Sequence, residues 1–175
     1  MRTVSIFYYS PFGACENAAK KIGNEIGKSH PEMTVSLFSL TEAAERKFLE
    51  RETISCDLLI AVFPLSETGG SWEIVEWLKK TAIKAAFASA VCVYGKGNPL
   101  PALRKTGYAF KLKNVPLVSA MDVSAGGTGR DNDFKKAPLF DAAAFTEGTM
   151  MNADTGKRIA VRSAALRAGN ARIYL

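Results

Sequence analysis

The chain has 175 residues, of which 47% are hydrophobic and 23% charged, and its formal net charge is +6. This composition is typical of a globular protein of one domain. It has no apolar stretch near the ~20 residues of a membrane span and no N-terminal signal peptide. The single histidine and the scattered Cys15, Cys56 and Cys92 exclude a zinc or iron–sulfur centre, so no metal is expected. They predict free thiols in a reducing compartment, the cytoplasm.

Five apolar segments predict strands, and four amphipathic segments between them predict helices. The strands cover residues 4–9, 33–38, 58–63, 89–94 and 115–123. The helices cover residues 15–27, 41–51, 72–86 and 100–106, the second of them capped by Thr41. Strands that are apolar on both faces and alternate with helices predict a parallel sheet covered on both sides. With right-handed crossovers, this is a doubly wound, five-stranded α/β fold in three α/β/α layers.

The pattern weakens after Ser124. Residues 125–133 form a polar, glycine-rich segment, and its Gly-Gly-Thr-Gly run opens onto no clear helix, so it is not a dinucleotide-binding motif. Residues 137–151 and 157–168 predict two further helices, the second of which could cover the sheet. We interpret residues 1–175 as a single domain whose C-terminal part, 124–175, is atypical.

The ends of the strands predict where a ligand binds. In an open α/β sheet, ligands bind outside the carboxyl ends of the strands, where the strand order reverses. Three loops follow strong strands in this sequence, at residues 10–17, 64–72 and 94–99. We therefore expect the functional site to be built from these three loops.

The first loop joins a strand to a helix N-terminus, where backbone N–H groups and the helix dipole favour a phosphate. With Ser10 and Gly13 it resembles the phosphate loop of the flavodoxin family. Phe12, Ala14 and Cys15 stand where that family usually has hydroxyl or amide side chains, so side-chain donors are lost while backbone donors remain. The resemblance implies that this loop holds the phosphate of FMN. The alternative is a strand–helix turn that binds nothing.

The second loop resembles that of flavodoxin-like domains fused to ferredoxin modules in anaerobic prokaryotes. The shared features are Phe-Pro at the strand end, a glycine-containing loop and an acidic-aromatic-Leu-Lys-Lys run, here at residues 63–64, 68–70 and 76–80. In that family the loop lines the isoalloxazine ring. The resemblance implies ring contacts from Pro64, Leu65, Ser66, Thr68, Gly69 and Trp72. Trp72 is the nearest aromatic residue for stacking on a flavin, but packing in the helix core suits it slightly better.

The third loop contains Tyr94, Gly95, Lys96 and Gly97, and resembles the Tyr-Gly turn of the same group. Its glycines would let backbone N–H groups approach the edge of the flavin ring. The family usually has an aromatic residue shortly afterwards, where this chain has Pro99-Leu100-Pro101. The resemblance covers residues 3–123. It does not extend to the ferredoxin cysteine clusters, which are absent, or to the acidic charge usual in flavodoxins that carry electrons.

Cys15 requires a separate interpretation, because a thiol at a helix N-terminus can be reactive. A cysteine-based phosphatase loop would have arginine six residues later, where this chain has Lys21. Glu16 also opposes formation of a thiolate. A small apolar core residue is therefore the better interpretation of the Cys15 side chain.

The positive charge is concentrated in one half of the chain, since residues 1–95 carry −1 and residues 96–175 carry +7. The basic half is interpreted first as a solvated surface and second as a surface for an acidic redox partner or a phosphate. Aromatic residues do not alternate with the basic ones, so nucleic acid is not an expected partner.

Three functions are compatible with these patterns. The first is an FMN-binding flavoprotein for electron transfer, in which the flavin performs the redox chemistry. The second is a binding or regulatory module that has lost its flavin, because fold alone does not fix function. The third is a small oxidoreductase that passes hydride from NADH or NADPH to bound FMN. No side chain presents itself as a catalytic acid or base, so no catalytic residue is predicted.

Overall fold

The computed structural model describes residues 2–65, 72–125, 141–159, 166–168 and 171–174. The strands are β1 (Thr3–Tyr8), β2 (Thr34–Ser39), β3 (Thr53–Pro64), β4 (Ala82–Tyr94), β5 (Leu117–Ser124), β6 (Leu166–Ala168) and β7 (Ala171–Tyr174). The helices are α1 (Ala14–Ser29), α2 (Ala43–Arg51), α3 (Trp72–Lys80), α4 (Leu100–Leu112) and α5 (Ala142–Thr155). Among these helices none is long and apolar enough to cross a bilayer.

The strands form one sheet in the order β2-β1-β3-β4-β5-β7-β6, and the first five are parallel. The chain begins at β1, moves outward to β2, and then adds β3, β4 and β5 on the other side of β1. The strand order therefore reverses between β1 and β3. This confirms the predicted doubly wound parallel sheet.

Two short strands extend the predicted five-stranded sheet. β7 pairs antiparallel with β5, and β6 pairs antiparallel with β7. The helix predicted over residues 157–168 is wrong at 166–168, where β6 lies, and residues 160–165 are outside the described ranges. The physical reason is that the backbone of β5 needs hydrogen-bond partners along its outer side, and β7 supplies them over residues 120–123.

Residues 82–86 are the second correction, because the sequence places them in a helix and the structure places them in β4. α3 ends at Lys80, and residues 82–85 pair in register with residues 53–56 of β3. Burial alternates along the start of β4, which is the two-residue period of a strand. Smaller differences affect two helices: α4 continues to Leu112, and α5 runs from Ala142 to Thr155.

The core lies on both faces of the sheet, as the predicted three layers require. One face is covered by α1 and α5, which bury Ile22 and Phe145. The other is covered by α3 and α4, which bury Trp77 and Phe110. α2 has no fully buried residue, and its Leu49 packs partly against the α3–α4 side.

A chain of buried hydroxyl groups crosses from β4 to α5. Thr149 Oγ1 donates to the carbonyl of Phe145 at 2.7 Å, so it must accept the proton of Ser119 Oγ, 2.6 Å away. Ser119 Oγ then accepts from Ser89 Oγ, also at 2.6 Å. Asn152 Nδ2 donates to the carbonyl of Val118 at 2.8 Å beside this chain. These bonds fix the position of α5 on the sheet.

The start of β1 is tied to β3 by Asp57. Its Oδ2 accepts hydrogen bonds from Arg2 N at 2.6 Å and from Thr3 N at 2.9 Å and Oγ1 at 3.1 Å. Thr3 Oγ1 in turn accepts from Asp57 N at 3.0 Å. The bond from Arg2 N, followed by that from Thr3 N, lowers the pKa of Asp57 below its ordinary value of 3.8.

We expect Ser119→Ala to destabilise the protein, because Ser89 then loses its buried acceptor. The loss in free energy of unfolding should be about 1–3 kcal/mol by urea denaturation. Ser55→Ala, on the exposed side of β3, is the matched control and should change it by less than about 0.5 kcal/mol. The double variant Ser89→Ala/Ser119→Ala should recover part of the loss. Equal stability of Ser119→Ala and the control would show that the hydroxyl chain does not stabilise α5.

We expect Asp57→Asn to remove a pH-dependent part of the stability. Because folding lowers the pKa of Asp57, its carboxylate stabilises the fold above the unfolded pKa, and this is lost as pH falls through the folded pKa. The difference in free energy of unfolding between wild type and Asp57→Asn should therefore be largest near neutral pH and should decrease below about pH 4. Denaturation at several pH values measures it. A difference that stays constant down to pH 2.5 would contradict this.

Candidate functional site

The three loops predicted to form the site lie at one edge of the sheet, because the carboxyl ends of parallel strands point the same way. Three backbone hydrogen bonds join the strand ends there. Tyr9 N donates to Val62 O at 3.0 Å, Leu65 N donates to Val93 O at 2.9 Å, and Ala125 N donates to Tyr94 O at 2.8 Å. The loops after β1, β3 and β4 therefore lie next to one another, at the point where the strand order reverses.

The loop after β1 presents backbone donors at the start of α1. Gly13 is the N-cap residue with φ of 87°, and a Cβ placed on it would meet no atom of the described residues within 4 Å. Glu16 N donates to Ser10 Oγ at 2.9 Å, and Asn17 N donates to Gly13 O at 3.0 Å. Within the described ranges, no acceptor is found for the N–H groups of Ala14 and Cys15. The first turn of α1 thus brings backbone N–H groups to the positive end of the helix dipole.

Ser10 is held in this loop by contacts on both sides. Ser10 N donates to Thr41 Oγ1 at 3.0 Å, while Ser10 Oγ accepts from Glu16 N and keeps its own proton for donation. Thr41, predicted as a helix cap, therefore has a different role. The N-cap position of α2 is Glu42, without a side-chain cap.

Glu16 is less unfavourable to a phosphate than its charge suggests. Its carboxylate forms an ion pair with Lys20 at 2.6 Å on the outside of α1. The hydrogen bond from Lys20 to Glu16 raises the pKa of the Lys20 ammonium. The pair leaves little net charge beside the loop.

Side chains in the first loop divide between the core and solvent. Ala14 and Cys15 are buried, and burial raises the pKa of the Cys15 thiol far above its ordinary value. This agrees with the interpretation of Cys15 as a small core residue. Phe12 points outward, with 44% of its surface exposed.

The loop after β3 is described only at its two ends. Pro64 closes β3 and Leu65 follows it half-buried, whereas Ser66, Thr68 and Gly69 lie outside the described residues. Trp72 begins α3 and is 65% exposed, so its interpretation as helix core is wrong. Its ring lies 5.8 Å from Lys79 Nζ, along the outside of α3.

The loop after β4 packs against the loop after β3. Gly97 has φ of 97°, a conformation that favours glycine, and a Cβ placed there would lie 3.0 Å from Leu65 Cδ2. Tyr94 and Gly95 are half-buried, while Lys96 and Gly97 are exposed. Asn98 Oδ1 accepts from Leu100 N at 3.1 Å and stabilises the start of α4. The glycines thus bring the backbone of this loop close to the second loop.

Two residues that the sequence did not single out also lie at this edge. Tyr9 directly follows β1, and the guanidinium carbon of Arg46 lies 5.8 Å from the centre of its ring. Burial and then the charge of Glu73 raise the pKa of the Tyr9 hydroxyl. Arg46 Nη1 donates to the carbonyl of Leu40 at 2.9 Å. The aromatic residue at the strand end was a visible signal, whereas the approach of Arg46 depends on the packing of α2.

No cluster of three or more His, Cys, Asp or Glu side chains that could hold a metal ion occurs within the described ranges. The arrangement at this edge offers backbone N–H groups, the Ser10 hydroxyl and aromatic surface. It can bind and orient an anionic, planar ligand.

Neither a protein-family model nor a curated protein matches the sequence, but solved structures do. The chain is similar to a short-chain flavodoxin associated with a non-canonical PDU bacterial microcompartment. Identity is 16%, coverage is 87% of this chain and 99% of that chain, and the TM-score is 0.58. It is more distantly similar to a flavodoxin from the domain Archaea, at 14% identity, with 85% and 99% coverage and a TM-score of 0.47.

An NAD(P)H:quinone oxidoreductase from Methanothermobacter marburgensis is also similar, at 12% identity, with 89% and 98% coverage and a TM-score of 0.46. At these identities the likeness concerns the fold. Together with the strand order and the three loops at one edge of the sheet, the likeness to the short-chain flavodoxin leads to one conclusion. The chain has a flavodoxin-like fold.

Proposed function

We propose that the protein binds FMN at the carboxyl edge of the sheet and acts in electron transfer. The observation that carries this proposal is the start of α1, where no described residue accepts from the N–H groups of Ala14 and Cys15, beside the Ser10 hydroxyl. Backbone donors at a helix N-terminus suit a phosphate group. Because they belong to the backbone, the loss of hydroxyl side chains at positions 12, 14 and 15 leaves them in place.

The remaining loops suit the flavin ring. Leu65 and the glycines at 95 and 97 would let the flavin ring approach the carboxyl edge of the sheet closely, beside the loop proposed to hold the phosphate. The surface there is largely apolar. Phe12 and Trp72 add exposed aromatic surface at the rim. When bound, FMN would supply the redox chemistry, and this chain would hold its phosphate and orient its ring.

The proposal extends to a partner and a location. A net charge of +6 favours an acidic redox partner, because opposite charges speed association. Cys15, Cys56 and Cys92 are all free and buried, which suits a reducing compartment such as the cytoplasm.

A module without flavin is the second candidate, and a specific observation favours it. Ala14 and Cys15 are buried and Phe12 is exposed, and none of the three offers a side-chain hydroxyl or amide to a phosphate. A flavodoxin-like loop stripped of side-chain donors would bind phosphate more weakly. The two candidates differ in whether FMN binds.

We expect FMN to bind at least about 100-fold more tightly than riboflavin, because only FMN carries the phosphate that the loop would hold. Quenching of flavin fluorescence on titration with the protein measures both affinities. Ser10→Ala should weaken FMN about tenfold and leave riboflavin unchanged. Ser55→Ala, far from the loops, is the matched control.

Two results would contradict the proposal. Absence of FMN binding would favour the module without flavin, and equal affinities for FMN and riboflavin would remove the phosphate role of the first loop. If FMN binds, its reduction by NADH or NADPH under anaerobic conditions separates a reductase from an electron carrier.

A further inference from the structure

A second concave surface lies at the opposite edge of the sheet from the three loops. It is a groove of about 700 Å³ between the second half of α4, the turn at residues 114–116 and the segment at residues 157–159. Val115, Pro116 and Leu117 form its floor. Ile159 N donates to the carbonyl of Leu117 at 2.8 Å, which fixes the far wall against β5. A groove of this size is large enough for a small organic ligand.

The groove is basic. Arg104, Lys111 and Arg158 line it, and its described lining includes no aspartate or glutamate. The sequence explains this, because no acidic residue occurs between Lys96 and Met121. Cations that converge on a concave surface raise the local concentration of anions. The groove therefore selects a negatively charged ligand.

Backbone hydrogen bonds close part of the end of α4. The carbonyl of Phe110 accepts from Lys113 N and from Val115 N, each at 3.0 Å, and the carbonyl of Lys111 accepts from Asn114 N at 3.0 Å. Asn114 has φ of 57°, the left-handed conformation that closes helices in this way. Two of the last carbonyls of α4 thus already have backbone donors.

Tyr108 adds a flat surface to the groove. It lies four residues after Arg104 and three before Lys111, so the three side chains share one face of α4. Its side chain is 61% exposed although it is large and apolar over most of its area. An exposed ring between cations offers stacking to an aromatic ligand that also carries negative charge.

We propose that this groove binds a nucleotide, that is, a ligand with an aromatic base and a chain of phosphates. The phosphates would contact Lys111 and Arg158, and the base would stack on Tyr108. This site is separate from the proposed flavin site, because the second half of α4 leads away from the loop after β4 towards the amino ends of the strands.

The test uses the 175-residue chain and calorimetric titration with ATP and with inorganic triphosphate at low salt. ATP should bind more tightly than triphosphate, because only ATP carries a base. Lys111→Gln and Arg158→Gln should each weaken both ligands about tenfold, since each removes a charge-assisted contact. Tyr108→Ala should weaken ATP about tenfold and leave triphosphate unchanged.

Lys105→Gln is the matched control, because Lys105 is exposed on α4 but does not line the groove. It should change either affinity by less than about twofold. Three results would overturn the proposal: no binding of ATP, an equal effect of Lys105→Gln and Lys111→Gln, or no effect of Tyr108→Ala on ATP. Loss of ATP binding in Ser10→Ala but not in Lys111→Gln would also overturn it and would assign the nucleotide to the flavin site. Failure of FMN binding alone leaves the proposal for this groove unaffected.

Discussion

Burial of β3 on both faces of the sheet is the constraint on which the rest of the structure depends. Its residues 58–63 are fully buried between β1 and β4. A strand with no polar face must have helices above and below it, and those helices must connect parallel strands by crossovers. All carboxyl ends then lie at one edge, so the placement of the loops follows from the burial of this strand.

The candidate site depends on backbone rather than on side chains. Gly13 turns the chain into α1 with positive φ, and Gly97 allows close contact with Leu65. The side chains of Ala14 and Cys15 are buried in the core, while the backbone of these two residues forms the first turn of α1. A site of this kind tolerates changes of side chain that would abolish one built from hydroxyl groups.

Buried polar contacts position α5 and β7 beside β5. The hydroxyl chain through Ser119 and Thr149 positions α5, and Tyr174 Oη donates to Asp122 Oδ2 at 2.8 Å inside the core. The second bond holds β7 beside β5, with both partners buried. Because such contacts join residues 30 and 52 positions apart, local sequence patterns do not reveal them.

The sequence by itself determined the alternation of five strands with helices, the α/β layers and the edge at which the loops lie, because hydrophobic periodicity is local and strong in segments such as residues 58–63. It did not determine that residues 82–86 extend β4, that residues 166–168 form a strand, or that Trp72 is exposed. Nor did it reveal Arg46 beside Tyr9 or the convergence of Arg158 with α4. Those features depend on which distant segments pack together, and only the tertiary structure decides that.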